Sequence, residues 1–341
     1  MKKYGILLWT AFLPGFFCSA CSNAVEAAES VRQIFGVTAE APVFLRCKAV
    51  SPREITFAFS LPVKVLSLRF EPPVPVESVT DGALVQVKVN EELGAGERIS
   101  TDILVQDTHQ NTLNVLVPFR AWNDRLPAFV ITEIRTEYAK PKVEFVEIKT
   151  LSPGNLGALR LFIASNGLEN PVFEFPPVEV KAGEYIVIHL RSIEEGLVNE
   201  TGSNLNASKG TEAFPDARDF WIPDAKKLLR KTDAVFFMDQ NDKTLDAVVL
   251  SEDPDSWGAK QDVAKAAEFL SAQGAWQSAS RNALAPRDAV PSKNATATRS
   301  ICRDERASDN NRASNWYITA SSGATPGKPN TQKRYTPKSA K

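Results

Sequence analysis

The chain has 341 residues, a formal net charge of −1, 43% hydrophobic content and 24% charged residues. That balance excludes wholesale disorder, supplies no bulk electrostatic drive toward nucleic acid or anionic lipid, and leaves length for two domains with separate cores. Cysteine is sparse: beyond Cys21 only Cys47 and Cys302 occur, and their spacing alone decides neither for a bridge nor for two independent thiols.

Met1-Lys2-Lys3 is a positive n-region, and Tyr4 to Phe17 is apolar and uncharged. The run is too short to span a bilayer permanently and reads as a signal peptide over 1–20. Ser19 and Ala20 precede Cys21, so the segment resembles a bacterial lipoprotein signal; it departs from that pattern at Cys18, where the family carries Leu. The resemblance implies that Cys21 is the acylated first residue of the mature chain, for example with palmitate. It also implies an extracytoplasmic protein held at the bacterial cell membrane or outer membrane. Removing 1–20 deletes Lys2 and Lys3 and no acid, leaving 40 − 2 = 38 basic against 41 acidic residues, a charge of −3. Residues 21–34, rich in Ala, Glu and Ser, are expected to be a tether.

Residues 35–126 show strand rhythm. Ile55, Phe57 and Phe59 alternate, as do Leu66, Leu68 and Phe70, and Val85, Val87 and Val89. Further strands are expected at Ile99–Gln106 and Thr112–Ala121, joined by the polar turn Asp107–Asn111. About seven short strands with frequent turn signals predict a β-sandwich. The ending Val117-Pro118-Phe119-Arg120-Ala121-Trp122-Asn123-Asp124 resembles the last strand of bacterial immunoglobulin-like modules.

A second domain is expected over 127–330, because Leu126-Pro127 marks a break. Strands are predicted at Ala128–Arg135, Lys142–Thr150, Ala158–Ala164, Val172–Phe175, Glu184–Leu190, Ala234–Met238, Thr244–Leu250, Thr296–Cys302 and Trp316–Thr319. Val263, Ala266, Ala267 and Leu270 give Ala259–Ala272 helical spacing. Val130–Ile134, Glu144–Ile148, Leu159–Leu161, Lys181–Ile188, Leu245–Leu250, Thr298–Arg303, Asn315–Tyr317 and Ala324–Asn330 follow the order of a lamin-tail domain, which they resemble. That resemblance implies an immunoglobulin-like sandwich, hence an all-β chain of two sandwiches in tandem, and a binding rather than a catalytic role. The departure is the expanded middle, 194–231, a long insertion of the kind that carries function on a rigid scaffold. Residues 331–341 form a basic tail.

Candidate chemistry is thin. His109 falls in a turn and His189 at a strand end; both read as ordinary surface or strand-edge residues, since no clustered His/Cys/Asp set accompanies them. Asp239-Gln240-Asn241-Asp242-Lys243 with Asp246 looks superficially like a calcium loop but lacks its Gly and distal Glu, and is expected to be a hairpin turn. Glu133, Glu144 and Glu147 lie on neighbouring strands, where edge charges paired with Lys142 or Lys149 are expected. Lys226-Lys227 with Arg230-Lys231 reads as a solvated helix face interrupted by acids, not a nucleic-acid surface. Asn199, Asn206 and Asn294 in Asn-x-Ser/Thr triplets read as loop composition. Trp221, Trp257, Trp276 and Trp316 are expected to pack in or at the rim of the core.

No Gly-x-Ser-x-Gly, Walker or dinucleotide motif is present. No catalytic residue, metal ligand or cofactor is therefore expected. The partners expected are the membrane, through the lipid on Cys21, and a protein or glycan; nucleic acid and a small-molecule substrate are not. The function expected is a lipid-anchored envelope protein with a binding or scaffolding role. The alternatives are a surface adhesin for a host or glycan ligand, and an accessory protein, hydrolase or nuclease of the cell surface, since lamin-tail domains accompany secreted nucleases.

Overall fold

The structure, a computed structural model, describes residues 40–223, 226–259, 261–279 and 283–337. Cys21, the signal segment, the tether and the last four residues of the basic tail lie outside the described residues.

Six strands build the first unit: β1 (Phe44–Ser51), β2 (Glu54–Glu71), β3 (Val76–Thr80), β4 (Gly82–Val89), β5 (Arg98–Gln106) and β6 (Thr112–Arg120). Glu54–Phe59 and Leu66–Phe70, expected as separate strands, are the two halves of β2. The first half pairs with β1 and β4, and the second half pairs with β5. Its register breaks between Ala58 and Val63, and Pro62, which has no N–H to donate, sits inside that break. One bent strand thereby serves both halves of the sandwich, so six strands suffice where seven are expected. Ile55, Phe57, Val85, Val87, Ile99 and Ile103 fill the space between the halves, each 1% exposed or less. Burial on that scale stabilises by roughly 1.5–3 kcal/mol per large apolar side chain.

The second unit contains β7 (Phe129–Arg135), β8 (Phe145–Thr150), β9 (Gly154–Asn155), β10 (Arg160–Ile163), β11 (Phe173–Glu174), β12 (Glu179–Val180), β13 (Tyr185–His189) and β14 (Arg218–Trp221). It continues with β15 (Asp233–Met238), β16 (Thr244–Ser251), helix α1 (Gln261–Ala272), β17 (Val290–Pro291), β18 (Ile301–Arg303) and β19 (Trp316–Ile318). One sheet runs β11-β10-β15-β16-β17 and the other β14-β13-β8-β7-β18-β19, with β9 and β12 as a separate pair. The chain is all-β, a sandwich architecture with one α-helix among the described residues.

The five-stranded sheet is buried on both faces. Phe237 packs edge-on against Phe129 of the opposing sheet, while Phe236 contacts Phe269 of α1. This double burial explains why β15 is a continuous apolar run rather than an alternating one. The four predicted apolar positions of α1, Val263, Ala266, Ala267 and Leu270, are buried as their spacing requires. Gly274, at φ +71, follows the helix and lets Ala275 N–H close back on the Leu270 carbonyl.

The two units meet at a close backbone crossing. Asn123 Nδ2 donates to the carbonyls of Asn155 and Gly157 at 2.9 and 2.7 Å, and Arg120 Nε donates to Glu174 at 2.7 Å. Gly96 stands at φ +70, and a Cβ there would fall 2.4 Å from Gly157 Cα. Backbone meets backbone, so no flexible side chain can yield. Gly96→Ala is expected to lower stability by more than about 2 kcal/mol in urea denaturation. Gly202→Ala, with nothing within 4 Å of its new Cβ, should stay within about 0.5 kcal/mol of wild type.

Candidate functional site on the outer face of the six-stranded sheet

Strand β7 carries a bulge at Thr132. Ile131 pairs with Ile148 and Ile134 with Val146, both toward the core, so Thr132 and Glu133 together oppose Glu147. The extra residue turns Glu133 to the outer face. Cross-strand pairing then aligns Cys302, Glu133, Glu147, Val187 and Asp219 in one transverse row. The next row is Arg135, Phe145, His189 and Trp221.

This outer face is not open to water. Residues 194–217, within the segment expected as an insertion, fold over one end of it, and residues 324–330 cross the other. Phe145, Tyr185, Val187 and Ala217, with Phe214, form a second small apolar core beneath the insertion. Three charged groups seat that insertion. Arg135 pairs with Glu212. Glu200, 1% exposed, accepts from Ala207 N–H, Ser208 N–H and, at 3.0 Å, Asp219 N–H. Arg218 donates through Nε to Glu184 and through Nη1 to the carbonyls of Glu200 and Gly202.

His189 differs from its expected surface setting: it is fully buried. Its Nε2 lies 2.8 Å from Asp219 Oδ1, and its ring stacks on Trp221 with centroids 3.7 Å apart. Asp219 and Trp221 are two apart on β14, so they project to the same face and reach the histidine together. The imidazole's Nδ1 has no hydrogen-bond partner among the described residues. Burial pushes its pKa below the usual histidine value, against the pull of Asp219. The dyad is sealed beneath the insertion and clamps it to the sheet.

The three glutamates also depart from expectation, because none is an edge charge. Glu144 is held by Arg191 through two bonds of 2.6 Å, with the guanidinium over the Tyr138 ring. Lys149 goes to Glu305 instead, at 2.8 Å. Glu133 and Glu147 face one another with zero exposure. Glu147 accepts from Thr132 Oγ1 at 2.6 Å and from Gly327 N–H at 2.7 Å; Glu133 accepts from Thr325 N–H at 3.0 Å. Burial, reinforced by Glu133, holds Glu147 well above the usual carboxylate range, and burial also raises Glu133.

The Asp239–Lys243 segment is the expected hairpin turn. Asp239 Oδ1 accepts from Asn241 and Lys243 N–H, and Asp242 takes φ +62. Asp246 does something else entirely: buried, it accepts from Ile131 N–H at 2.6 Å and Arg303 Nη2 at 2.8 Å, and burial lifts its pKa to about 6. Lys226, Lys227, Arg230 and Lys231 form no helix; Lys227 pairs with Glu137 across a connecting loop. His109 is exposed in the Asp107 turn, as expected. Trp221, Trp276 and Trp316 are buried and Trp257 half-buried. Cys47 and Cys302 are free thiols. Among the described residues no group of three or more His, Cys, Asp or Glu side chains is placed to hold a metal ion.

The insertion also walls a cleft of about 730 Å³. Val178, Lys181 and Glu184 face Thr201, Leu205 and Arg218 across it. The Arg218 guanidinium is held in place there by the three bonds above.

Residues 127–318, more than half of the chain, match the family described as the TP_1001 protein second domain. The chain belongs to this family. An uncharacterized protein of Treponema pallidum (strain Nichols) is 25% identical over 191 residues, covering 54% of this chain and 48% of that protein. The chain thus spans about half the length of that curated relative. Among solved structures, the N-terminal part of the bacterial S-layer protein SbsC is 14% identical at a TM-score of 0.25, covering 69% of this chain and 48% of that one. L,D-transpeptidase 3 from Mycobacterium tuberculosis is 11% identical at a TM-score of 0.18, covering 45% and 82%. Likenesses this low carry no argument about fold or chemistry. The family match lies on the second unit and contains the whole clamp of His189, Glu200, Arg218 and Asp219.

The lowered His189 pKa has a defined consequence. Between that value and the unfolded value near 6.5, the unfolded chain binds more protons, so this residue's share of stability is lost as pH falls below 6.5. The wild-type advantage over His189→Gln in urea denaturation should therefore shrink between pH 7.5 and pH 5. An advantage independent of pH would place the titration elsewhere.

Proposed function

We propose that the protein is a lipid-anchored component of the bacterial cell envelope that binds or scaffolds a partner through its second, lamin-tail-like domain. The observation that carries this reading is in the sequence: a basic start, an uncharged apolar run, and small residues immediately before Cys21. A diacyl or triacyl anchor on that residue supplies the two or more chains that stable membrane attachment requires. No helix among the described residues is long and apolar enough to cross a membrane.

The insertion-walled cleft is the binding surface of this proposal. A loop of this length would lose much conformational entropy on engaging a partner if it were free. Here Glu200, Glu212 and Asp219 have already ordered it, and the cleft wall is pre-formed. Anchoring and binding then belong to one function: the first unit spaces a rigid binding surface away from the lipid.

Metabolic labelling with a fatty acid tests the anchor. Wild-type protein is expected to take up label and to partition with membranes, and Cys21→Ala to lose both. Label retained by Cys21→Ala would overturn the proposal.

A further inference from the structure

Residues 324–330 form a strap across the outer face of β7, β8 and β18, and their contacts are unusual for an interior. Thr325 N–H ends on Glu133, Gly327 N–H on Glu147, and Asn330 N–H on Glu305 at 2.7 Å. Asn330 Nδ2 also donates to the carbonyls of Thr132 and Arg303. Three carboxylates therefore hold one short segment, two of them fully buried and directly opposite each other on adjacent strands.

The groups around the pair give it no ion-pair partner, although Arg135 favours the charged form of Glu133 from a distance and the Ser300 and Thr325 hydroxyls hydrogen-bond to it. On β7, Arg135 is engaged by Glu212 and the Val143 carbonyl. On β18, Cys302 is a neutral neighbour and Arg303 is committed to Asp246, Asp309 and the Ile131 carbonyl. Glu305 adds negative charge but is occupied by Lys149 and Tyr185. On β13 the row continues with Val187, and beyond it Asp219 on β14 is held by His189. Tyr317 of β19 is neutral, and on the strap itself Lys328 reaches out to Asp216 at 3.0 Å. Among the described residues no cation forms an ion pair with Glu133 or Glu147.

We propose that Glu133 and Glu147 are a proton-operated latch for this strap: it lies docked while the pair keeps a proton and lifts when both carboxylates ionise. Opposed residues on paired strands have Cβ atoms about 5 Å apart, and a second negative charge on carboxylates carried so close is strongly disfavoured without water. Lifting 324–328 admits water to both, which a buried pair cannot otherwise recruit. Burial raises both groups, so the docked form binds more protons than the open form above the ordinary carboxylate range. Docking therefore weakens as pH rises, by up to tenfold per pH unit for one proton released. Asn330 remains pinned by Glu305 and the two carbonyls, which makes it the hinge. Cys302, at zero exposure beside Glu133, is the group uncovered.

Hydrogen exchange on the full chain tests this, using peptides that cover 320–332 and, as reference, the Ala234–Phe237 amides of the β15–β16 ladder. Protection factors at Thr325 and Gly327 are expected to fall at least tenfold relative to that ladder between pH 6 and pH 9. Glu147→Gln and Glu133→Gln should abolish that fall. At pH 9, maleimide labelling of Cys302 should be at least tenfold faster in wild type than in either variant, with Cys47 unchanged as internal control. Constant wild-type protection from pH 6 to pH 9 overturns the latch whether or not the variants fold. So does a parallel loss across Ala234–Phe237, or a variant that keeps the wild-type pH profile.

Discussion

The constraint on which the second unit depends is that its six-stranded sheet is covered on both faces. The inner face meets the five-stranded sheet through aliphatic and aromatic side chains, which is ordinary sandwich packing. The outer face carries Glu133, Glu147, Arg135, His189 and Asp219, and every one of these is buried. Polar groups removed from water cost several kcal/mol each unless paired. The covering segments are shaped by that requirement: the insertion brings Glu200, Glu212 and Trp221, and the strap brings the amides of Thr325 and Gly327.

The bulge at Thr132 is the local event behind this arrangement. A regular strand would have sent Glu133 into the apolar core with Ile131. One extra residue sends it outward, and the same distortion leaves Thr132 free to donate to Glu147 and its carbonyl free to accept from Asn330. Asp246 and Arg303 play the matching role on the inner side, where Asp246 takes the Ile131 amide and Arg303 takes the Ile131 carbonyl. A bulge breaks ladder bonds, and here side chains from distant strands replace them.

The two faces of this sheet divide its labour. The inner face supplies bulk stability, and the outer face supplies order to segments that would otherwise be long loops. A fixed insertion gives the cleft one wall and the bound edge of β14 gives it a floor at Arg218. The first unit contributes to the same rigidity through the Gly96–Gly157 crossing, where backbone contact leaves no slack between the two halves.

Strand rhythm, the helix expected over 259–272 and found over 261–272, and most core positions were legible in the sequence, because periods of two and of about 3.6 residues report local burial directly; Leu66 is exposed because the register of β2 against β5 shifts between Val65 and Ser67. The signal segment and Cys21 lie outside the described residues, and their reading rests on residue order and not on a fold. The bulge was not read, although the spacing of Ile131 and Ile134 around a Thr-Glu pair breaks a period of two. Tertiary structure alone decided the rest. His189, Glu133 and Glu147 read as surface residues because a sheet with one solvated face is the simplest use of alternating strands. Their burial comes from segments far away in the chain, residues 199–221 and 324–330, and no local pattern states that those segments return to cover them. The partner of a buried charge is fixed by that return, so the site's chemistry was settled by topology and its strands by sequence.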